Sequence, residues 1–174
     1  MRRKILESAV ATIADEGVSV STAVIAKRGG LAQGSIFHHF GTKAGLLNAL
    51  YLQLKAEQHA AAVGAAPESL RTVWDRWLDW GTANQQRRRA LLALRGSDVV
   101  TPESRAASED SNQSGVDLFR QLTADGPLAG LPMQYIGDLV EAVAGTTMDA
   151  IVRDPANAAV YRDRGFDALR GMLA

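Results

Sequence analysis

The sequence predicts an all-α protein. Apolar residues recur at three- and four-residue intervals along most of the chain, helix caps and stops fall between those stretches, and no segment sustains strand alternation. The composition suits a compact fold: 174 residues, 47% apolar and 22% charged, with 19 basic and 19 acidic side chains. Cysteine is absent, which excludes disulfides, thiolate zinc sites, iron–sulfur clusters and thiol nucleophiles. No apolar run approaches the roughly 18–20 residues that a spanning helix needs. Met1-Arg2-Arg3-Lys4 looks like the start of a signal segment, but Glu7, Asp15 and Glu16 occupy the stretch that would have to be apolar. A soluble, cytoplasmic protein with no membrane partner is expected.

The elements follow in order. Ile5, Leu6, Ala9, Val10, Ile13 and Ala14 form one apolar stripe over 2–16, and Gly17 supplies the stop. Ser21 or Thr22 caps a short second helix that ends at about Gly29, where Gly29-Gly30 forces a break. A third short helix is expected over about Gln33–Phe40. Thr42 then caps a long fourth helix from Lys43 to about Val63, carrying Leu46, Leu47, Leu50 and Leu54, and Gly64-Ala65-Ala66-Pro67 ends it. Residues 68–83 are helical with Leu70, Val73, Trp74, Trp77 and Leu78 on one side and a kink at Gly81, and Gln85–Arg95 continues the pattern. Residues 96–102 turn, Pro102 suits a helix start, and a single helix is expected over 103–124. A loop over 125–132 leads to two final helices, 133–152 and 156–173, parted by Asp154-Pro155.

Function is most legible between residues 25 and 43. A helix-turn-helix needs a small residue where its helices touch, a residue tolerating positive φ in the turn, and an apolar anchor on the second helix. Ala26, Gly30 and Ile36 meet those demands. The helix from Gln33 has about eight residues, or roughly 12 Å, which fits a major groove about 12 Å wide. Residues 1–60 carry seven Lys/Arg against four acids, an excess that by itself supports nucleic-acid binding only weakly.

Ile25-Ala26, Gly29-Gly30, Gly34-Ser35-Ile36-Phe37-His38-His39-Phe40 and Thr42-Lys43 together resemble the DNA-binding domain of the tetracycline-repressor (TetR) family of bacterial transcriptional regulators, over about residues 5–51. Phe37 stands where the family has tyrosine, so a hydroxyl that reaches phosphate is missing, and Ala44 stands where an acid is usual. The resemblance implies a helix-turn-helix domain over 1–45 and a helical ligand-binding and dimerisation domain over 46–174, connected by the long helix 43–64. It implies a dimeric repressor of a double-stranded DNA operator, released by a small, largely apolar effector, with self-association through the last two helices.

DNA contacts are expected from Ser21 and Thr22 at the mouth of the second helix and from Gln33, Gly34, Ser35, Phe37, His38 and His39 on the third. Gln bonds adenine in bidentate fashion, Ser and His reach bases or phosphate, and Gly34 permits close approach. Phe37 is either a core aromatic or a contact to sugar or a thymine methyl. Lys43 opens the fourth helix, where its cation opposes the macrodipole unless a phosphate offsets it. Pocket candidates, by aromatic content and family position, are Trp74, Trp77, Phe119, Tyr135 and Met148. Ile136, Leu139, Val140, Val143, Thr147 and Ile151 form the stripe suited to self-association, with an intrachain core as the competing explanation. Arg87-Arg88-Arg89 is expected to be a solvated helix face.

Catalysis is not expected. Ser35 with His38 or His39 lacks an orienting carboxylate and an oxyanion site, and no phosphate loop or dinucleotide fingerprint occurs. Adjacent histidines point about 100° apart on a helix, so His38, His39 and His59 make a poor metal set. Neither a metal nor a cofactor is expected. The alternative function is a helical ligand-binding or protein-interaction module with little or no DNA binding.

Overall fold

The computed structural model describes residues 1–64, 69–111 and 113–173. These form α1 (Arg2–Glu16), α2 (Thr22–Arg28), α3 (Gln33–Phe40), α4 (Lys43–Ala62), α5 (Leu70–Ala83), α6 (Gln85–Arg95), α7 (Pro102–Asp110), α8 (Gln113–Leu122), α9 (Met133–Arg153) and α10 (Ala158–Leu173), with a 3-10 turn at Pro155–Asn157. No strand occurs among the described residues. None of their helices is long and apolar enough to cross a membrane. Residues 65–68, on which the expected end of the long helix partly falls, lie outside the described residues.

One expected helix is two. The stretch 103–124 divides into α7 and α8, because its first half is polar and rich in serines that hydrogen-bond their own backbone. The Ser111 hydroxyl donates to the Ser108 carbonyl at 2.9 Å, and the Thr101 hydroxyl caps α7 by accepting from the Ser104 N–H at 3.3 Å. Gly81 does not kink its helix either. α5 runs through it to Ala83, and a side chain at position 81 would collide with the Met148 sulfur, so the glycine makes room for a neighbouring helix.

The chain packs as two compact units, Met1–Glu57 with Asn84–Ser111, and Gln58–Ala83 with Asn112–Ala174. This packing division differs from a functional boundary at residue 45. The first unit needs α6 and α7, which return from later in the chain. Its core is built from Ile5, Leu6, Ala9, Val10 and Ile13 of α1, Ile25 and Ala26 of α2, Ile36 of α3, four leucines of α4, and Ala90, Leu91 and Leu94 of α6, all buried. α6 and α2 both pack on α1.

Polar ties fix this arrangement. The Asn48 side chain on α4 holds the loop before α7, donating to the Val99 carbonyl at 2.9 Å and accepting from the Thr101 N–H at 3.0 Å. Arg87 on α6 donates to both carboxylate oxygens of Glu7 on α1, at 2.7 and 3.0 Å, and to Glu57 on α4 at 3.0 Å. Hydrogen bonding to Glu7, with the nearby Glu57 charge, raises the Arg87 pKa above its ordinary value against the opposing effect of burial. Arg88 is buried and only Arg89 is exposed, so the arginine run is not the solvated face expected from its flanks.

In the second unit Trp74 and Leu78 of α5 meet Ile136, Val140, Ala144, Met148 and Ile151 of α9 and Leu169 and Leu173 of α10. Gly165 lets α10 come close: a Cβ there would stand 2.7 Å from Trp74 Cζ2 and collide with the Thr147 hydroxyl. The Arg162 guanidinium ties α10 to α5 through the Asp75 carbonyl at 3.0 Å and the Asp79 carboxylate at 2.6 Å. Asp154, at the turn between α9 and α10, accepts from Asn157 at 2.8 Å and from the Tyr161 hydroxyl at 2.9 Å, which holds its pKa below the usual carboxylate value. Ile136, Val140, Thr147 and Ile151, expected to serve self-association, belong largely to the chain's own core.

Candidate nucleic-acid interface

α2 and α3 are set against α1 by a few close contacts. The buried Ser8 hydroxyl donates to the Ile25 carbonyl, and a Cβ at Gly29 would come within 3.0 Å of Ser8, so only glycine permits that approach. Gly30 follows with φ +57°, the left-handed conformation that turns the chain toward α3. Ile36, fully buried, is the anchor that seats α3.

The rest of α3 faces outward. At about 100° per residue, Gly34 and His38 lie almost opposite Ile36 on the helix. Gln33, Gly34, Phe37, His38 and His39 are exposed, and Ser35 is half-buried. Phe37 is 45% exposed, which rules out the core-aromatic reading. Gly34 has φ outside the positive region, and nothing lies within 4 Å of where its Cβ would be. Neither the backbone nor the packing of the chain requires glycine there, and it costs a helix about 1 kcal/mol relative to alanine.

The flanking groups divide into free and engaged. Ser21 stays exposed while its hydroxyl caps α2, accepting from the Val24 N–H at 3.3 Å. Thr22, expected to reach phosphate, is instead 8% exposed, and its hydroxyl accepts from the Gln33 side-chain amide at 3.1 Å. It therefore positions Gln33, holding one amide group at the leading edge of α3.

Lys43 is the first residue of α4, half-buried behind the Thr42 cap, whose hydroxyl accepts from the Gly45 N–H at 2.9 Å. The first turn of α4 holds no acid. Among the described residues Lys43 has no ion-pair partner, and neither have Arg3, Lys4 and Lys27. Arg28 is neutralised by Asp15 at 2.6 Å, while the Arg2 guanidinium sits 5.2 Å from the centre of the Phe40 ring.

A charge signal missed by counting over 1–60 explains this surface. Residues 17–56 contain Lys27, Arg28, Lys43 and Lys55 and no Asp or Glu at all. Of these, Lys27 and Lys43 have no acidic partner among the described residues, and such cations favour a polyanion.

The pocket candidates lie in the second unit. Trp74 belongs to its apolar cluster, with Met148 buried beside it and Trp77 and Phe119 packed against it. Tyr135 is not among them, being 51% exposed on the first turn of α9. The Trp74 indole N–H donates to the Arg162 carbonyl at 3.0 Å, as in an ordinary satisfied core. The Trp77 indole nitrogen, by contrast, is buried with no hydrogen-bond partner among the described residues.

The sequence profile of bacterial regulatory proteins of the tetR family matches residues 5–50, the stretch forming α1, α2, α3 and the start of α4. This likeness to the TetR family covers about a quarter of the chain. Over 110 residues the chain is 31% identical to the HTH-type transcriptional regulator BetI 1 of Chromohalobacter salexigens and 32% identical to BetI of Stenotrophomonas maltophilia. Each match takes in 59% of this chain, and it spans 54% and 56% of those two regulators, about half their length. The fold is similar over nearly the whole chain to the crystal structure of a Shewanella sp. PV-4 protein assigned to the tetR-family transcription regulators. That likeness has a TM-score of 0.80 and 27% identity, and it covers 97% of this chain and 95% of that one. The proteins named in these comparisons are transcriptional regulators.

Proposed function

We propose that the chain is a DNA-binding transcriptional regulator, acting in the cytoplasm as a dimeric repressor that a small, largely apolar effector releases from its operator. One observation carries the DNA-binding half: Ile36 is the one fully buried side chain of α3, and Gln33, Gly34, Phe37, His38 and His39 are exposed on a surface with unpaired cations at Lys27 and Lys43. In this reading Ser21, Gln33, Gly34, Ser35, Phe37, His38, His39 and Lys43 contact the duplex, with Thr22 holding Gln33 in place. Residues 1–45 form the reading head, and the rest of the chain serves ligand binding and dimerisation.

Dimerisation through α9 and α10 has to use the faces left over by the core, which offer Tyr135, Val152 and Val160 along with half-buried Leu139 and Val143. Two-fold symmetry would then set the two copies of α3 one DNA turn apart, roughly 34–36 Å. The effector's site is proposed beside Trp77, Phe119 and Met148. A buried indole N–H without a partner costs about 1–3 kcal/mol, so a ligand offering one hydrogen-bond acceptor within an apolar body would be favoured there. Release needs the effector to prefer the form that does not hold DNA, and about 3 kcal/mol of preference shifts the balance over 100-fold.

Gly34→Ala tests the DNA half, because the two readouts should move in opposite directions. Helix propensity predicts unchanged or higher stability, by up to about 1 kcal/mol in urea unfolding. Close approach to DNA predicts at least about tenfold weaker binding to a duplex selected from a random library at low salt, since each 1.4 kcal/mol is a factor of ten. Unchanged affinity, or failure of the unmodified protein to retain any duplex, would defeat the proposal.

A further inference from the structure

We propose that Phe37 reads the 5-methyl group of thymine, so that each half-site bound by α3 contains a thymine that uracil does not replace. This rests on the reading of α3 as the helix that enters the major groove.

The argument starts from an exposed aromatic ring. Phe37 is 45% exposed on a surface otherwise made of Gln33, Gly34, Ser35, His38 and His39. A long side chain on a helix leans toward the N-terminus, over the turn before it, and for Phe37 that turn holds Gly34, three positions back. Nothing lies within 4 Å of where a Gly34 Cβ would stand, so a partner can approach this face of the helix closely. The ring has no hydroxyl and can neither donate to phosphate nor accept from a base edge. What it offers a partner is apolar surface.

In the major groove one group matches that chemistry. Thymine carries a methyl at C5, whereas cytosine has only a hydrogen there and the purines offer chiefly hydrogen-bonding groups. The alternative occupant, an apolar patch on another protein, has to sit among Lys27, Lys43 and a 17–56 stretch without a single acid, which suits a polyanion better. Val24 on α2, 37% exposed, is the other large apolar side chain that α2 and α3 leave open.

The test uses the full chain and a duplex selected from a random library at low salt, with its thymines exchanged one at a time for deoxyuridine. Removing one buried methyl predicts about a fourfold loss of affinity in one half-site and about fifteenfold when both are exchanged. Phe37→Ala should bind the thymine and uracil duplexes alike, while Phe37→Tyr, which keeps the ring, should retain the discrimination. The dependence of binding on salt should be the same for all three proteins, because neither substitution adds or removes a charge. Indifference to every thymine methyl, or a uracil penalty that persists in Phe37→Ala, overturns the assignment while leaving α3 a DNA helix. Failure of the unmodified protein to bind any duplex overturns both together.

Discussion

Gly165→Val is expected to destabilise the second unit by about 3 kcal/mol or more. Even one methylene added to a filled core costs about 1–3 kcal/mol, and here the first added carbon already meets three obstacles. It would collide with the Thr147 hydroxyl, lie 3.0 Å from Thr147 Cγ2 and stand 2.7 Å from Trp74 Cζ2. None of these can yield cheaply. Thr147 is fixed by donating to the Val143 carbonyl at 2.8 Å, and Trp74 by donating to the Arg162 carbonyl at 3.0 Å. The readout is convenient, since all three tryptophans lie on α5 and their fluorescence in a urea titration follows this unit. Gly171→Ala, on the same helix but with nothing within 4 Å of the added atom, should be neutral or slightly stabilising. Equal midpoints for the two variants would mean that α10 does not approach α5 and α9 as described.

Ile36→Ala is the second large effect. Ile36 is fully buried and is the one side chain of α3 in the core of the first unit, so truncation removes the helix's only deep anchor. Loss of a buried Ile side chain to Ala costs about 2–5 kcal/mol. Affinity for a selected duplex should fall by more than the stability change alone predicts at a temperature where the variant is still folded, because α3 would no longer be held in one orientation. Ile36→Val, which costs about 0.5–1.5 kcal/mol, should recover most of both. Full DNA affinity in a folded Ile36→Ala protein would show that α3 needs no such anchor.

The parts of the fold that are local in origin could be read directly. Ser21 and Thr42 both cap through side-chain oxygens, Gly30 has positive φ, and α3 spans Gln33–Phe40 as its periodicity suggests. What the sequence left ambiguous depends on partners distant along the chain. A glycine inside a helix is consistent with a kink or with close packing, and only Met148 against Gly81 decides between them. Three consecutive arginines look like a solvated face until Glu7 and Glu57 are brought to Arg87. Asn48 carried no signal at all, since its partners are backbone groups of a remote loop. The stripe on α9 was periodic for a real reason, but periodicity does not say whether a helix faces its own chain or another. At the proposed DNA face the residue types were legible, whereas the pairing of Gln33 with Thr22 and the exposure of Phe37 required the packing of α2 against α3.

The salt dependence of duplex binding bears most directly on the claim that α3 and the start of α4 grip double-stranded DNA. For the unmodified protein the logarithm of the binding constant should fall steeply and linearly with the logarithm of salt concentration, because bound phosphates release counterions. Lys43→Ala should weaken binding to all sequences alike and reduce that slope by about one. Binding that is indifferent to salt, or a slope unchanged by the loss of Lys43, would contradict the account.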